Sequence, residues 1–206
     1  LVRGFSQLLG LMTVLAAYGL GRRLWPQPAD GVMPLVLAAG VAFNPQFLFI
    51  SSAINNDNMM TALASITLLV VVDLAARRGL PSPRQMVTLG VLAGLSALSK
   101  LTGVALIAFV VAALAALCVR TRHAVPWQAW ARRVLVFGGV AALVAGWWYV
   151  RNWMLYDDVT GLRPMLAWVG PRQLSMPALI DELEGVELSF WAVFGWFNVL
   201  VTDEWV

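Results

Sequence analysis

What most constrains this chain is a series of apolar runs long enough to cross a bilayer, separated by short linkers. A membrane helix needs about 20 mostly apolar residues. Such runs fall at roughly 4–21 (span A), 32–53 (span B), 58–76 (span C), 85–98 (span D), 101–119 (span E), 134–150 (span F) and 188–201 (span G, short). Charged residues make up only 12% of the 206, against 60% hydrophobic, which is about half the charge of a soluble domain. The expected fold is all-α: one polytopic transmembrane helix bundle of about seven spans, occupying 1–206 as a single domain.

The linkers fit this division. "WPQPADG" (25–31) and "RRGLPSPR" (77–84) carry the Pro and Gly that end helices. "RTRHAVPWQAWARR" (120–133) is basic and aromatic and suits a short amphipathic helix lying on the membrane surface. Orientation follows from the arginines. Arg22, Arg23, Arg77, Arg78, Arg84, Arg120, Arg122, Arg132 and Arg133 share one side, whereas Arg3, Lys100, Arg151, Arg163 and Arg172 share the other. The first side is expected to be cytoplasmic. A bacterial inner membrane with the active face outward is the simplest setting. The net charge of +3 then reports topology and gives no sign of a nucleic-acid partner. Cys118 stands alone, so no intrachain disulfide is available. The chain starts at Leu1 and stops at "VTDEWV" just after an apolar run. It reads as a piece of a longer protein with no recognisable signal peptide.

Three polar groups are expected to converge on the outer side. The first is "INNDN", at the tip between spans B and C. Asn and Asp there are good N-caps, and an acid suits the positive helix end. Asn55, Asn56 and Asp57 also present amide oxygens and a carboxylate in a row. Such a set can coordinate a divalent cation such as Mg or Mn, with Asp57 as the metal ligand, or accept hydrogen bonds from a sugar or acceptor hydroxyl. The second is Lys100, in "GLSALSKLTGVALI". A lysine at membrane depth either snorkels or meets an anion. A phosphate would satisfy it, with Thr102 and the free amides opening span E as further donors. The third is Arg151, with Asn152 beside it, closing "GWWYVRNWMLYDD". The tryptophans fit an interfacial belt, and an arginine there is either solvated or clamps a phosphate. Elsewhere, Asp73 is placed to pair with Arg77 one turn on, Asp157 and Asp158 suit a turn, and His123 has no partner nearby.

In this order the segments resemble the GT-C class of multi-pass glycosyltransferases that use lipid-phosphate-linked sugars, which includes protein mannosyltransferases and aminoarabinose transferases. The similarity is carried by "GFSQLLGLMTVLAAYGLGRRLW", "AFNPQFLFISSAINNDNMMTALASITLLVVV", "LGVLAGLSALSKLTGVALI" and "WWYVRNWMLYDDVTG". The resemblance implies a hexosyl or pentosyl transferase. It would move a sugar from a polyprenyl-phosphate carrier to a glycan, lipid or protein acceptor at the outer membrane face. Asp57 matches an acidic loop residue that binds metal in some members. Lys100 and Arg151 match basic positions near the carrier phosphate. The class usually has a catalytic acid in a loop ahead of span A, a region this sequence does not contain. The tip reads "NNDN" and not a two-acid pattern. Two other readings stand beside the enzyme. A transporter or lipid-handling protein calls for polar groups at mid-membrane on broken helices, whereas here they gather at span ends. A non-catalytic membrane scaffold is the third.

Overall fold

A computed structural model describes residues 2–26, 31–77 and 79–170, and beyond these 175–176, 180, 185–186, 189–191, 193–194 and 199–200. Arg78, Arg172, residues 181–184 and 187, and half of span G (188, 192, 195–198 and 201) lie outside the described residues.

The chain forms α1 (Val2–Leu24), α2 (Val32–Ala42), α3 (Pro45–Ser52), α4 (Asn56–Ala76), α5 (Pro83–Ser99), a 3-10 turn (Leu101–Gly103), α6 (Val104–Thr121), α7 (Trp127–Tyr156) and α8 (Arg163–Val169). A two-residue antiparallel pairing, Val193–Phe194 with Val199–Leu200, follows. Among the described residues, four helices are long and apolar enough to cross a membrane: α1, α4, the 3-10 turn with α6, and α7. The bent pair α2–α3 makes a fifth candidate. Helix α5, at 17 residues, extends about 25 Å, a little under the hydrocarbon thickness of about 30 Å. The chain is thus an all-α polytopic bundle.

Small residues set the packing. Without a hydrophobic drive between helices in lipid, close backbone approach supplies the contact energy. Gly90 and Gly94 on α5 let α7 come so near that an added Cβ would sit 2.7 Å from the Phe137 carbonyl or from Val144 Cβ. Facing them, α7 presents a buried stripe of Trp130, Phe137, Ala141, Ala145 and Asn152. Gly21 of α1 admits Pro34 of α2 in the same way, at 2.5 Å from a notional Cβ. The core is centred on Met86, Leu89, Ala93, Val110 and Phe137, all at 0–1% exposure. Leu8, Leu11 and Leu15 of α1, and Leu135 and Leu143 of α7, point outward, as lipid-facing positions do.

Two expectations change. Span B is not one helix: α2 and α3 meet at a 60° bend. Pro45 cannot donate to the ladder and opens a new helix at its first position. Asn44 caps it, its side chain accepting from Phe47 N at 2.8 Å. Nor does 120–133 form a surface helix. Arg120 and Thr121 end α6, and Trp127 to Arg133 are the first turns of α7. The reason is Trp130, which is 2% exposed and faces the bundle. Its indole donates to Thr121 Oγ1 at 3.1 Å.

The two ends of the bundle carry different chemistry. At one end Asp73 accepts from Arg23 at 2.8 Å and pairs with Arg77 at 2.9 Å. The Arg77 pairing is the expected one, and Arg23 joins it. There Arg120 Nη2 donates to the carbonyls of Ala75 at 2.6 Å and Arg77 at 3.2 Å. The other end holds Asp57 and Lys100.

Candidate functional site

The start of α4, the end of α5 and the 3-10 turn assemble the Asp57–Lys100 site. Asn55 is the N-cap of α4, accepting from Asp57 N at 2.8 Å, so capping is a real part of the answer for the asparagine-rich tip. Asn56 reaches across to α5 and donates to the Ser99 carbonyl at 3.1 Å. Asn58, 4% exposed, donates to the carbonyls of Ile50 at 2.9 Å and Ala53 at 3.0 Å, closing the turn from α3. With the backbone held on both sides, Asp57 pairs with Lys100. Lys100 is the C-cap of α5, in extended conformation, with its own N–H on Ser96 O at 3.2 Å. The lysine therefore meets an anion within the chain. Both side chains stay partly open, at 40% for Lys100 and 33% for Asp57, so the pair faces a polar boundary and not the bundle core.

Gly103 fixes the turn beneath Lys100. An added Cβ there would lie 2.0 Å from the Ser96 carbonyl, so α6 can start against α5 only with glycine. Thr102, in the same turn, is exposed. The expected Arg151 does not join the pair among the described contacts. Tyr149 Oη donates to Ala97 O at 2.9 Å, which fixes the end of α7 against the end of α5. Two residues on, about 200° around the helix, Arg151 points away. Its guanidinium lies 5.0 Å over Trp148, and Nη1 donates to the buried Asn152 at 3.4 Å. Asn152 is thus a packing residue behind Arg151, set against Gly161.

Beyond α7, the "DDVTG" stretch is the expected turn. Asp157 takes the left-handed conformation, φ 49°, that ends the helix. Asp158 accepts from Arg163 N at 2.8 Å, Thr160 Oγ1 at 2.8 Å and Thr160 N at 3.0 Å. These donors, the Arg163 amide foremost, hold its carboxyl down at about 2.

Among the described residues no group of three or more His, Cys, Asp or Glu gathers to hold a metal ion. At the tip the donor set is one carboxylate already matched by an ammonium, the Asn55 amide oxygen, which already accepts from Asp57 N, and the amides of Asn56 and Asn58, whose nitrogens bind backbone carbonyls. That set does not fit a divalent cation held by this chain's described residues alone.

Two cavities reach chain neighbours of the pair, although neither is lined by Asp57 or Lys100 themselves. One of about 340 Å³ lies between the start of α1 and the tip, bounded by Phe5, Leu9, Ile54, Asn56 and Ser99. A second of about 440 Å³ runs under the α2–α3 bend, between Thr13, Val41, Phe47, Ile50 and Thr61, with Asn44, Gln46, Asn58 and Ser189 among its polar lining. Sequence reading had no signal for the bend cavity, because its walls come from α1, α2, α3 and α4 together. Asn58 was read only as part of the polar tip and Tyr149 as part of the aromatic belt, whereas their roles are the hydrogen bonds to Ile50, Ala53 and Ala97, which spacing does not reveal.

Comparison with curated proteins and with solved structures gives no match. A family model described as dolichyl-phosphate-mannose-protein mannosyltransferase matches residues 1–149. That stretch runs from α1 through most of α7 and includes Asp57 and Lys100. With the match spanning most of the sequence and the helix bundle agreeing with it, the chain belongs to the dolichyl-phosphate-mannose-protein mannosyltransferase family of GT-C membrane glycosyltransferases.

Proposed function

We propose that the chain takes part in moving a hexosyl or pentosyl group from a polyprenyl-phosphate carrier to a glycan, lipid or protein acceptor hydroxyl. The transfer takes place at the face of the membrane opposite the arginine-rich end. In a bacterial inner membrane that face is the outer one. The observation that supports this most is the half-open Asp57–Lys100 pair at that end of the bundle, whose chain neighbours Asn56 and Ser99 line an apolar cavity, in a chain of this family.

In this reading the carrier's tail lies in the apolar grooves and its phosphate at the rim. The acceptor oxygen bonds to the anomeric carbon as the bond from that carbon to the phosphate oxygen breaks. The electron pair leaves with the polyprenyl phosphate, where negative charge grows. Lys100 is the fixed cation for that charge, aided by Thr102 and the amides of its turn; Arg151, which rests over Trp148, becomes a further cation only by turning back toward Lys100. As Lys100 turns to the phosphate, Asp57 loses its partner and becomes free to orient the acceptor hydroxyl or take its proton. Asn55 and Asn56 hold the backbone that carries Asp57 and offer amides to the sugar. Asn152 keeps Arg151 in place. No step here requires a metal ion.

The test uses the full-length protein in liposomes with a polyprenyl-phosphate sugar. Lys100→Ala is expected to lower kcat about 100-fold or more, and Asp57→Asn by a similar factor. The exchanged pair, Asp57→Lys with Lys100→Asp, restores the ion pair and the folded protein but not turnover. Full activity in both single variants removes the assignment, and full activity in the exchanged pair reduces it to a structural contact.

A further inference from the structure

We propose that α8 is an interfacial anchor, a short apolar helix lying in the headgroup boundary of the leaflet on the Asp57–Lys100 side. Its partner is the bilayer and not another protein surface. The anchor is independent of the transfer reaction.

Composition sets α8 apart. In "RPMLAWV" only Arg163 is charged, and the helix has no buried residue. Trp168 is 93% exposed, Val169 74%, Met165 56% and Leu166 45%. A helix at a water-facing protein surface buries one apolar stripe and presents a polar face. Among the described residues α8 has no polar face to present, and none of its side chains is covered by protein.

The helix is nevertheless held in place. Asp158 accepts from the Arg163 amide at 2.8 Å and from the hydroxyl and amide of Thr160 at 2.8 and 3.0 Å. Arg163 also pairs with Asp157 at 3.6 Å. Gly161, φ 70°, brings the turn back against Asn152, whose Nδ2 lies 3.4 Å from a notional Cβ. Asn152 is itself buried on α7, so the level at which α8 starts is fixed.

That level is the edge of the hydrocarbon. Tyr149 ties this end of α7 to the end of α5 that carries Lys100. Toward the other end, the exposed Arg132 bounds the hydrocarbon, because a guanidinium at depth is costly. From Arg132 to Asn152 is about 20 residues, or about 30 Å of helix, which matches the hydrocarbon thickness of about 30 Å. The outward stripe of Leu143, Trp147, Val150 and Met154 on α7 climbs to the same level. Apolar surface therefore continues from the lipid-facing side of the bundle to the height of α8. Charge tells what kind of contact follows. Asp157, Asp158 and Arg163 leave one net negative charge, two carboxylates against one guanidinium, so nothing in this segment draws an anionic headgroup. Apolar burial about 5–10 Å into the boundary, as in other interfacial helices, holds it.

The experiment places a single cysteine in α8 of the full-length protein, with Cys118 and any other cysteine replaced by Ala. The cysteine carries an NBD fluorophore, and the protein is reconstituted in phosphatidylcholine liposomes. Trp168→Cys breaks no described contact, and Met165→Cys, which keeps Trp168, is the second reporter. Quenching is read with phosphatidylcholine spin-labelled near the headgroup, with phosphatidylcholine spin-labelled deep in the acyl chain, and with aqueous iodide. Both reporters are expected to be quenched at least about twofold more by the shallow spin label than by the deep one, and at least about threefold less by iodide than free dye is. Adding phosphatidylglycerol leaves these values unchanged. Iodide quenching equal to that of free dye places α8 in water and overturns the anchor. Weak quenching by iodide and by both lipids places it under protein, a further segment or a second copy, and overturns it as well. Deep-label quenching equal to or above the shallow overturns the interfacial depth. Lipid quenching that requires phosphatidylglycerol overturns the apolar mode of attachment.

Discussion

At Asn58 one side chain does work that an apolar residue of the same size cannot. Its amide joins the carbonyls of Ile50 and Ala53, the last acceptors of α3, and so fixes the turn that presents Asp57. Asn58→Ala removes the donor that the Ala53 carbonyl has among the described contacts, and one of the two on the Ile50 carbonyl, which keeps the Ala53 N–H at 3.0 Å; an unmet polar group inside protein costs about 1–3 kcal/mol. Mixed-micelle denaturation of the variant is expected to show a loss of that order, with weakened transfer. Gly103 is the sterner case. With the Ser96 carbonyl 2.0 Å from a notional Cβ, Gly103→Ala forces α6 off α5, at an expected cost of about 3 kcal/mol or more by the same measurement. Both residues stood in plain view in the sequence. Asn58 was legible as part of a polar break, and "GLSALSKLTG" as a hairpin. Which asparagine locks the turn and which glycine cannot be replaced depends on carbonyls eight and seven residues away that no periodicity locates.

Among the elements, α5 and α7 form the tightest seam. Gly90 and Gly94 stand one turn apart and meet the Phe137 carbonyl, Val140 and Val144. Replacing both by Ala is expected to separate the helices and cost about 1–3 kcal/mol per site. It should also draw Tyr149 away from Ala97, a change visible in tyrosine fluorescence or hydrogen exchange at the end of α5. The short helix α8 depends on a different device. Asp158, with its carboxyl down at about 2 against an ordinary 3.8, accepts the amides that open α8. A depressed carboxyl stabilises the fold in full above the ordinary value and ceases to as pH falls through the depressed one. The amides of Thr160 and Arg163 are therefore expected to stay protected from pH 7 to about 4 and to lose protection between about 4 and 2. Asp158→Asn removes that dependence. Element positions were largely readable: spans A, C, D and E lie within a few residues of α1, α4, α5 and the 3-10 turn with α6. The bend at Pro45 was readable too, since "FNPQ" is a cap followed by proline, but an unbroken apolar count across 32–53 hid it. For 120–133 the aromatics were the wrong guide: Trp130 turns inward onto Thr121, and amphipathicity alone does not distinguish a membrane surface from a neighbouring helix.

For the molecule as a whole, the division of charge between two ends is the organising fact. Arg23, Arg77 and Arg120 converge on the end of α4, whereas Asp57 and Lys100 meet at its start. Lys and Arg excess marks the cytoplasmic side, so the pair is expected to open outward. Cysteines placed singly at Thr102 and at Arg122, with Cys118 replaced by Ala, check this with a membrane-impermeant maleimide on intact cells. Thr102→Cys is expected to react, and Arg122→Cys only after permeabilisation. The reverse pattern inverts the orientation and moves the proposed transfer to the other face.

By itself the sequence determined the class of solvent and the class of fold. Long uncharged runs have one stable form in a bilayer, the helix, and the spacing of arginines sorted the helix ends into two sides. It also pointed to Asp57 and Lys100, because charges beside apolar runs call for a reason. The tertiary structure alone decided that these two face each other, that Arg151 turns from them onto Trp148, and that a bent α2–α3 leaves a cavity beneath it. The seams between α5, α6 and α7 rest on the closeness that Gly90, Gly94 and Gly103 permit, the bend rests on Asn44 and Pro45, and interhelical distance is a property of the packed bundle that no single segment encodes.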